Sequence, residues 1–354
     1  MAEHKKDGKC KALIVSGCLA HRYHDEIEKE IPEVDALLGT ASYDKIAEVV
    51  LSVLEGKGYS CIDDADRLVM TNDERIITTG GYYEYLKIAE GCDKHCTYCI
   101  IPKVRGNYRS YPMEYLVKQA EQLAEKGVKE LILVAQETTV YGVDIYGKKM
   151  LAELVKKLAA IKDIAWIRIL YCYPEEIDDA LIEVIKNEPK VCHYLDMPIQ
   201  HASDSILKKM GRRTTKQELK DVINKLRENI PDIALRTTLI TGFPGETQKD
   251  HEEMLDFVDE MEFDRLGVFT YSPEEDTPAA VMPDQIDEEV KEQRRDAVME
   301  LQQEVSLDKS EEMVGKVIDC LIEGKIEDDD TYVGRSYKAV SYTHLRAHET
   351  GAYL

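Results

Sequence analysis

The sequence predicts an α/β protein built on an open, partial TIM-type barrel of six β/α units. From position 83 onward, short apolar strands alternate six times with amphipathic helical stretches. Because parallel neighbours require right-handed crossovers, this alternation predicts a parallel sheet with helices packed against it. Polar residues cluster directly after the strands, at the carboxyl end where such sheets carry their chemistry. A partial α/β domain precedes the barrel, and a partial β module follows it.

The first domain is predicted over residues 1–75. An apolar strand is expected at 12–17, followed by helices at about 24–31 and 43–56. The stretch 62–80 is rich in Asp, Asn and Gly, which is typical of a linker.

The barrel is predicted over residues 76–305, and its elements follow from hydrophobic periodicity. Its strands are expected at 85–90, 130–136, 166–170, 193–198, 234–240 and 265–271. Helices are expected between the strands, for example at 112–126, 176–187, 215–229 and 247–261, and a long charged helix is expected at about 286–312. Two strands of the β module are predicted within 306–340. The tail, 341–354, does not continue that pattern and is expected to be unrelated to the fold.

Composition restricts the partners and the compartment. The chain has 46 basic and 69 acidic residues and a net charge of −23, which disfavours general nucleic-acid binding and favours a basic protein partner. No apolar run approaches the roughly 18 residues of a membrane span, and the first residues lack a signal-peptide pattern. Nine cysteines in that context indicate a reducing compartment, so we expect a cytoplasmic protein with no membrane association.

Three cysteines in the segment GCDKHCTYCIIP form the strongest motif: Cys92, Cys96 and Cys99. The C-x3-C-x2-C spacing supplies three thiolates and no fourth, so a four-iron cluster held here would keep one iron open. A structural zinc site with His95 as fourth ligand is the alternative. No second zinc half-site lies nearby, and ferredoxin loops have other spacings, so we favour the iron–sulfur interpretation.

The segments around this motif resemble the radical S-adenosylmethionine (SAM) methylthiotransferases. The resemblance covers nearly all of 10–340 and is carried by LKIAEGCDKHCTYCIIPKVRGNYRSYPME, LILVAQETTVYG, MPIQHASDSILKKMGRRTT, LRTTLITGFPGET and FDRLGVFTYSPEEDTPAA. It implies a [4Fe-4S] cluster on the three cysteines, with SAM chelating the open iron. Reductive cleavage of SAM would yield a 5′-deoxyadenosyl radical, and a methylthio group would replace a C–H hydrogen of the substrate.

Two branches of that family differ in substrate. The segments AQETTVYG (135–142), CYPEEI (172–177) and PKVCHYLDMPIQHASDS (189–205) resemble the branch that modifies an aspartate β-carbon of ribosomal protein uS12. The resemblance implies uS12 and a low-potential electron donor such as flavodoxin as partners, without direct RNA binding. The alternatives are the branch that modifies an adenosine of transfer RNA, and an inactive cluster-binding fragment.

Further site residues are expected in the cysteine loop and after the strands, and no catalytic acid or base is assigned. The positions predicted to bind the cofactor are Tyr98, Gln136, Glu137, Thr138, Gln200, Thr241 and Gly242. Tyr98 could equally pack on the cluster, and TGFPGE could equally be a tight strand-to-helix turn. Arg105 and Arg109 could pair a carboxylate of cofactor or substrate, or face solvent.

The resemblance also implies a second [4Fe-4S] cluster on three cysteines of the first domain. Cys18, in VSGCLAHRY, resembles the third of these ligands, whereas Cys10 and Cys61 match none. The β module resembles part of a TRAM domain. We therefore expect the chain to be an interior piece of a longer enzyme, truncated at both ends, that carries one fully liganded cluster.

Overall fold

The computed structural model describes residues 2–71, 75–326 and 331–338, together with the backbone of 343–346. Its first elements, in chain order, are α1 (Glu3–Lys6), β1 (Ile14–Ser16), α2 (Cys18–Arg22), α3 (His24–Glu30), β2 (Ala36–Leu38) and α4 (Ile46–Leu54). Strands β1 and β2 pair in parallel, and Leu38 forms a further parallel bridge with Cys61. The α/β pattern of this segment therefore agrees with the sequence prediction.

The centre of the molecule is a six-stranded, all-parallel sheet. The strands from here to the end of the barrel are β3 (Tyr83–Lys87), β4 (Ala89–Glu90), β5 (Arg109–Ser110), β6 (Glu130–Val134), β7 (Trp166–Ile169), β8 (Val191–Asp196), β9 (Ala234–Thr241) and β10 (Arg265–Thr270). The short strands β4 and β5 pair with each other, and the other six lie in the order 3-6-7-8-9-10. Since β3 and β10 lie at opposite edges, the predicted open six-unit barrel is confirmed.

Helices cover the outer face of this sheet. They are α5 (Ile101–Arg105), α6 (Met113–Glu125), α7 (Val143–Tyr146), α8 (Leu151–Ala159), α9 (Asp179–Asn187), α10 (Asp204–Lys209), α11 (Lys216–Asn229), α12 (Gln248–Met261) and α13 (Glu288–Glu311). Helix α6 buries Leu116, Ala120 and Leu123, one face at helical spacing, in the main core. Within the described residues, no helix combines the length and apolar character needed to cross a bilayer.

The β module lies at the amino end of the barrel strands. It consists of β11 (Cys320–Lys325), β12 (Thr331–Ser336) and β13 (Thr343–Arg346), which pair antiparallel. Strand β13 lies within the tail that the sequence pattern separated from the fold, so the pairing extends further than predicted. Pairing with β12 is a tertiary contact that the local pattern does not reveal. The boundary expected after residue 305 falls inside α13, because that helix continues to Glu311.

Charged residues join the β module to the barrel. Arg335, on β12, contacts Glu130 at 2.6 Å, and Glu130 also accepts a hydrogen bond from Arg168 at 2.7 Å. Arg335 is paired in addition with Glu323 of β11. All four side chains are buried. Since Glu130 begins β6, this network lies at the amino end of the sheet.

The first domain contacts the opposite, carboxyl end. Arg22 forms an ion pair with Glu274 and donates to the Glu275 carbonyl, both in the loop after β10. The Thr40 hydroxyl donates to the carbonyl of Val104 in α5 at 3.0 Å. The first domain therefore lies beside the loop that follows β4.

Candidate cofactor site at the carboxyl end of the barrel

The three-cysteine loop follows β4 directly and is held by backbone hydrogen bonds on both sides. The Cys92 amide donates to the Gly106 carbonyl at 3.3 Å, and the Thr97 amide donates to the Met210 carbonyl at 2.9 Å. Gly91 has a φ of +79°, and a side chain there would collide with the backbone carbonyl of Asn107. Glycine is required at this position because the loop must turn sharply against a neighbouring segment.

The thiols of the loop are shielded from water. Cys92 and Cys96 are buried and Cys99 is half-buried, whereas His95 is exposed. Burial raises the pKa of Cys92 to about 11, and it also raises the pKa of Cys99. Because thiolate is the form that binds metal, coordination itself must drive the loss of these protons.

The donor set distinguishes a cluster from a single ion. Among the described residues, no group of three or more Cys, His, Asp or Glu side chains converges closely enough to hold one metal ion. Zinc would require its sulfur ligands at about 2.3 Å from one centre. A cluster assigns each thiolate to its own iron and does not require the three sulfurs to meet at one centre. Two buried thiols and one half-buried thiol in a single loop match a cluster with one open iron.

Aromatic and cationic side chains lie beside Cys96. The Tyr173 hydroxyl is 3.9 Å from the Cys96 sulfur, and the guanidinium of Arg212 lies 4.2 Å from the Tyr173 ring centroid. Tyr98, in the loop itself, packs edge-on against Phe243 at 6.4 Å. Burial raises the pKa of Tyr98 well above its ordinary value, so this phenol stays protonated. Tyr173 and Arg212 were not among the predicted site residues.

A cavity of about 220 Å³ opens at this end of the sheet. Its lining includes two predicted residues, Tyr98 and Gln200, together with Tyr171, Thr238 and Ile240. Tyr171 and Gln200 both have left-handed backbone conformations, with φ of +63° and +72°. Such strain in non-glycine residues is concentrated at functional sites. Tyr171 follows β7, so the rule that selected Gln200 after β8 could also have found it.

The predicted residues after β6 are used mainly within the protein. Gln136 accepts a hydrogen bond from the Gly91 amide at 2.9 Å and so supports the cysteine loop. Thr138 donates to the Leu170 carbonyl at 2.8 Å. Glu137 is buried with one carboxylate oxygen lacking a hydrogen-bond partner, and burial raises its pKa to about 7. None of the three lines the cavity.

The predicted residues after β9 form a turn against α13. The Thr241 hydroxyl donates to the carbonyl of Lys291, and a side chain at Gly242 would collide with Lys291. Gly242 has a φ of +71°, and its amide donates to Glu246 at 2.7 Å. TGFPGE therefore forms the tight strand-to-helix turn, which is compatible with cofactor binding, and the binding of the cofactor by Thr241 and Gly242 stays a prediction.

Cys18, the predicted ligand of a second cluster, lies next to α5. Arg105 donates to the Cys18 sulfur at 3.2 Å and to Glu90, which precedes the cysteine loop, at 3.2 Å. Arg109 pairs with Asp66 at 3.0 Å. Both arginines therefore bind carboxylates of the protein. Cys18 and Cys92 are connected through Arg105 and Glu90, so the two predicted cluster regions are neighbours.

Comparisons with known proteins agree with this architecture. The sequence profile of the radical SAM superfamily matches residues 86–258, which include the whole cysteine loop. Over 337 residues the chain is 64% identical to the ribosomal protein uS12 methylthiotransferase RimO of Lachnoclostridium phytofermentans, covering 95% of this chain and 77% of that protein. The chain belongs to the RimO family of radical SAM methylthiotransferases.

Another RimO relative and two solved structures extend the comparison. The RimO protein of Clostridioides difficile is 52% identical over 335 residues, covering 95% of this chain and 75% of that protein. The methyltransferase TsrM of Kitasatospora setae, bound to tryptophan and a SAM analogue, has a TM-score of 0.52 at 14% identity, covering 79% of this chain and 66% of that chain. The cobalamin-dependent enzyme OxsB, bound to SAM, has a TM-score of 0.52 at 15% identity, covering 86% of this chain and 45% of that chain. These likenesses show the fold. Membership of the RimO family implies [4Fe-4S] and SAM as cofactors.

Proposed function

We propose that this chain transfers a methylthio group to the β-carbon of an aspartate in ribosomal protein uS12, as a radical SAM enzyme. The observation that carries the proposal is the buried loop of Cys92, Cys96 and Cys99 at the carboxyl end of the barrel. Family membership supports the choice of substrate, since the relatives are named for uS12. The net charge of −23 is complementary to a basic protein.

The three cysteines would hold a [4Fe-4S] cluster whose open iron binds SAM. When bound, that cluster supplies the electron for reductive cleavage of SAM. The protein would shield the site from water by burying the thiols, and it would orient the cofactor in the cavity lined by Tyr98 and Gln200. Gln136 would hold the loop in place through the Gly91 amide.

Cys18 would ligate a second [4Fe-4S] cluster, where a second SAM would methylate the sulfur to be transferred. Its hydrogen bond to Arg105, and the link from Arg105 to Glu90, support a second cluster beside the first. We further propose that a low-potential donor of the flavodoxin type supplies electrons, that RNA is not bound directly, and that the enzyme acts in the cytoplasm with its ribosomal substrate.

The test is anaerobic reconstitution followed by reaction with SAM, dithionite and either uS12 or transfer RNA. Because transfer requires both clusters, the expected result is about eight irons per chain, cleavage of SAM, and a gain of one methylthio group on uS12. Zinc in place of iron would overturn the radical mechanism. A methylthio group on RNA would favour the transfer-RNA branch, and SAM cleavage without transfer would favour a fragment active only in radical generation.

Cys18→Ala separates the two proposed clusters. It should keep the iron of the first cluster and SAM cleavage while it abolishes transfer to uS12. Unchanged transfer in this variant would remove Cys18 from the mechanism.

A further inference from the structure

Arg212 is a buried cation with an incomplete set of partners. Its side chain is 1% exposed, and its Nε and Nη1 atoms lack hydrogen-bond partners among the described residues. Nη2 donates to the Pro198 carbonyl at 3.1 Å. The nearest carboxylate oxygen, on Glu175, is 3.9 Å away and also lacks a hydrogen-bond partner. A buried charge with so distant a counter-ion is costly, and its field reaches further than that of a close ion pair.

Arg212 lies close to the three-cysteine loop. Its guanidinium covers the ring of Tyr173, whose hydroxyl is 3.9 Å from the Cys96 sulfur. A side chain at the adjacent Gly211 would contact the Cys96 Cα at 3.7 Å. One aromatic ring therefore separates the cation from the middle cysteine of the loop.

Lys94 provides a contrast within the same site. Its ammonium lies 5.0 Å from the same Tyr173 ring, but it is paired with Glu176 at 2.5 Å and lies 3.7 Å from Glu137. The positive charge of Lys94 is therefore largely compensated by the protein. Arg212 has a weaker counter-ion, Glu175 at 3.9 Å, so more of its positive charge acts on the neighbouring cysteine loop.

We propose that Arg212 is a positioning residue that sets the reduction potential of the cluster, acting through the ring of Tyr173. This inference rests on the proposed function, because it requires a [4Fe-4S] cluster on the three cysteines. Reduction adds one electron, taken from an external one-electron donor, and makes the cluster more negative by one charge. A fixed cation in a low-dielectric site stabilises the reduced form more than the oxidised form and raises the potential.

The test is an EPR-monitored reductive titration of the reconstituted chain without SAM. For one charge at about 10 Å in an effective dielectric of about 20, Arg212→Gln should lower the ratio of reduced to oxidised cluster about 16-fold at any fixed solution potential. That factor corresponds to about 70 mV for one electron. Arg212→Lys keeps the charge and should stay near the wild type. Arg213→Gln removes the same charge from an exposed neighbour and is the matched control.

The outcomes separate this inference from the proposed function. Failure of the wild-type chain to bind iron would contradict the proposed function itself. The role of Arg212 would be overturned if Arg212→Gln binds the cluster and the midpoint potential of that cluster is unchanged. It would also be overturned if the midpoint potential shifts only when SAM is present. If Arg212→Gln fails to assemble a cluster, Glu175→Gln provides the second test. It removes the nearest negative charge and should raise the midpoint, and no change would overturn the inference.

Discussion

The two ends of the barrel pair their buried charges to different extents. At the amino end, Glu130 lies between Arg168 and Arg335 at 2.7 and 2.6 Å, although Nη2 of Arg168 lacks a hydrogen-bond partner among the described residues. At the carboxyl end, Arg212 and Glu137 are equally buried, yet each has polar atoms without a hydrogen-bond partner among the described residues. Each buried polar group without a partner in a native structure calls for an explanation, and a bound ligand is one of them. Close ion pairs dominate the amino end and fix the β module, whereas the buried charges of the carboxyl end have longer ion pairs, with Glu175 3.9 Å from Arg212 and Lys94 3.7 Å from Glu137.

Removing one thiol should have the largest effect at the carboxyl end. We expect Cys96→Ala to lose the roughly four irons of the first cluster and to abolish SAM cleavage, because two thiolates hold a cluster poorly. Folding should persist, since the amino-end network is untouched. Metal analysis and circular dichroism check both statements. Cys320→Ala, in the β module, is the control, and full iron in Cys96→Ala would contradict the assignment.

Neutralising Glu130 should damage the amino end instead. Glu130→Gln leaves Arg168 and Arg335 buried without their shared carboxylate, and breaking a buried pair in this way costs about 3–5 kcal/mol. Denaturant unfolding measures the loss, and iron per folded chain should not change. Glu121→Gln, the same substitution on an exposed face of α6, should cost under about 0.5 kcal/mol. Equal stability of the two variants would show that the network contributes little.

The sequence predicts the β module at the amino end less well than it predicts the strands of the barrel. The six strands were recovered to within a few residues because each is a short apolar run between helices, as at 166–170 against Trp166–Ile169. Helix α8 (Leu151–Ala159) agrees with the expected helix between the second and third strands, and its apolar positions have helical spacing. Strand β13 was missed because its pairing partner, rather than its own pattern, makes it a strand.

The candidate site also has one part that the sequence predicts and another that it does not. Cluster chemistry requires the spacing of the three cysteines, so the local sequence is enough to predict the cysteine loop. Whether Thr241 faces the cavity or α13 depends on how a helix 50 residues later packs, and no local pattern carries that information. The contact of Arg212 with Tyr173 is likewise tertiary, which is why neither residue was predicted.

Two glycines with a positive φ test how tightly the carboxyl end of the barrel is packed. Gly91→Ala combines a left-handed φ with a collision against the Asn107 carbonyl, so we expect a loss of about 3 kcal/mol and reduced iron loading. Gly127→Ala has a φ of +98° with no atom within 4 Å of the added carbon, so it should cost only about 1 kcal/mol. Thermal unfolding and iron content measure the difference. Equal effects would mean that backbone strain alone matters at Gly91.

The smallest expected effect concerns Asp250, a buried charge near the carboxyl end that is fully partnered. Burial alone would raise its pKa, but hydrogen bonds from the hydroxyls of Ser203, Ser205 and Thr247, at 2.5, 2.7 and 2.6 Å, hold the pKa of Asp250 well below its ordinary value of 3.8. Since the folded state depresses this pKa, the stabilisation is present above about pH 3.8 and is lost as the pH falls below that value.

Asp250→Asn should therefore lower the free energy of unfolding by about 2 kcal/mol at pH 7, and the difference from wild type should shrink as the solution is acidified below pH 3.8. Denaturant unfolding at several pH values follows this change. Asp256→Asn, on the exposed face of the same helix, should show neither the loss nor the pH dependence. A difference that stays constant in acid would mean that Asp250 acts by its shape and not by its charge. The carboxyl end would then tolerate a neutral side chain at this position, and its difference from the amino end would rest on Arg212 and Glu137, which are only partly hydrogen-bonded.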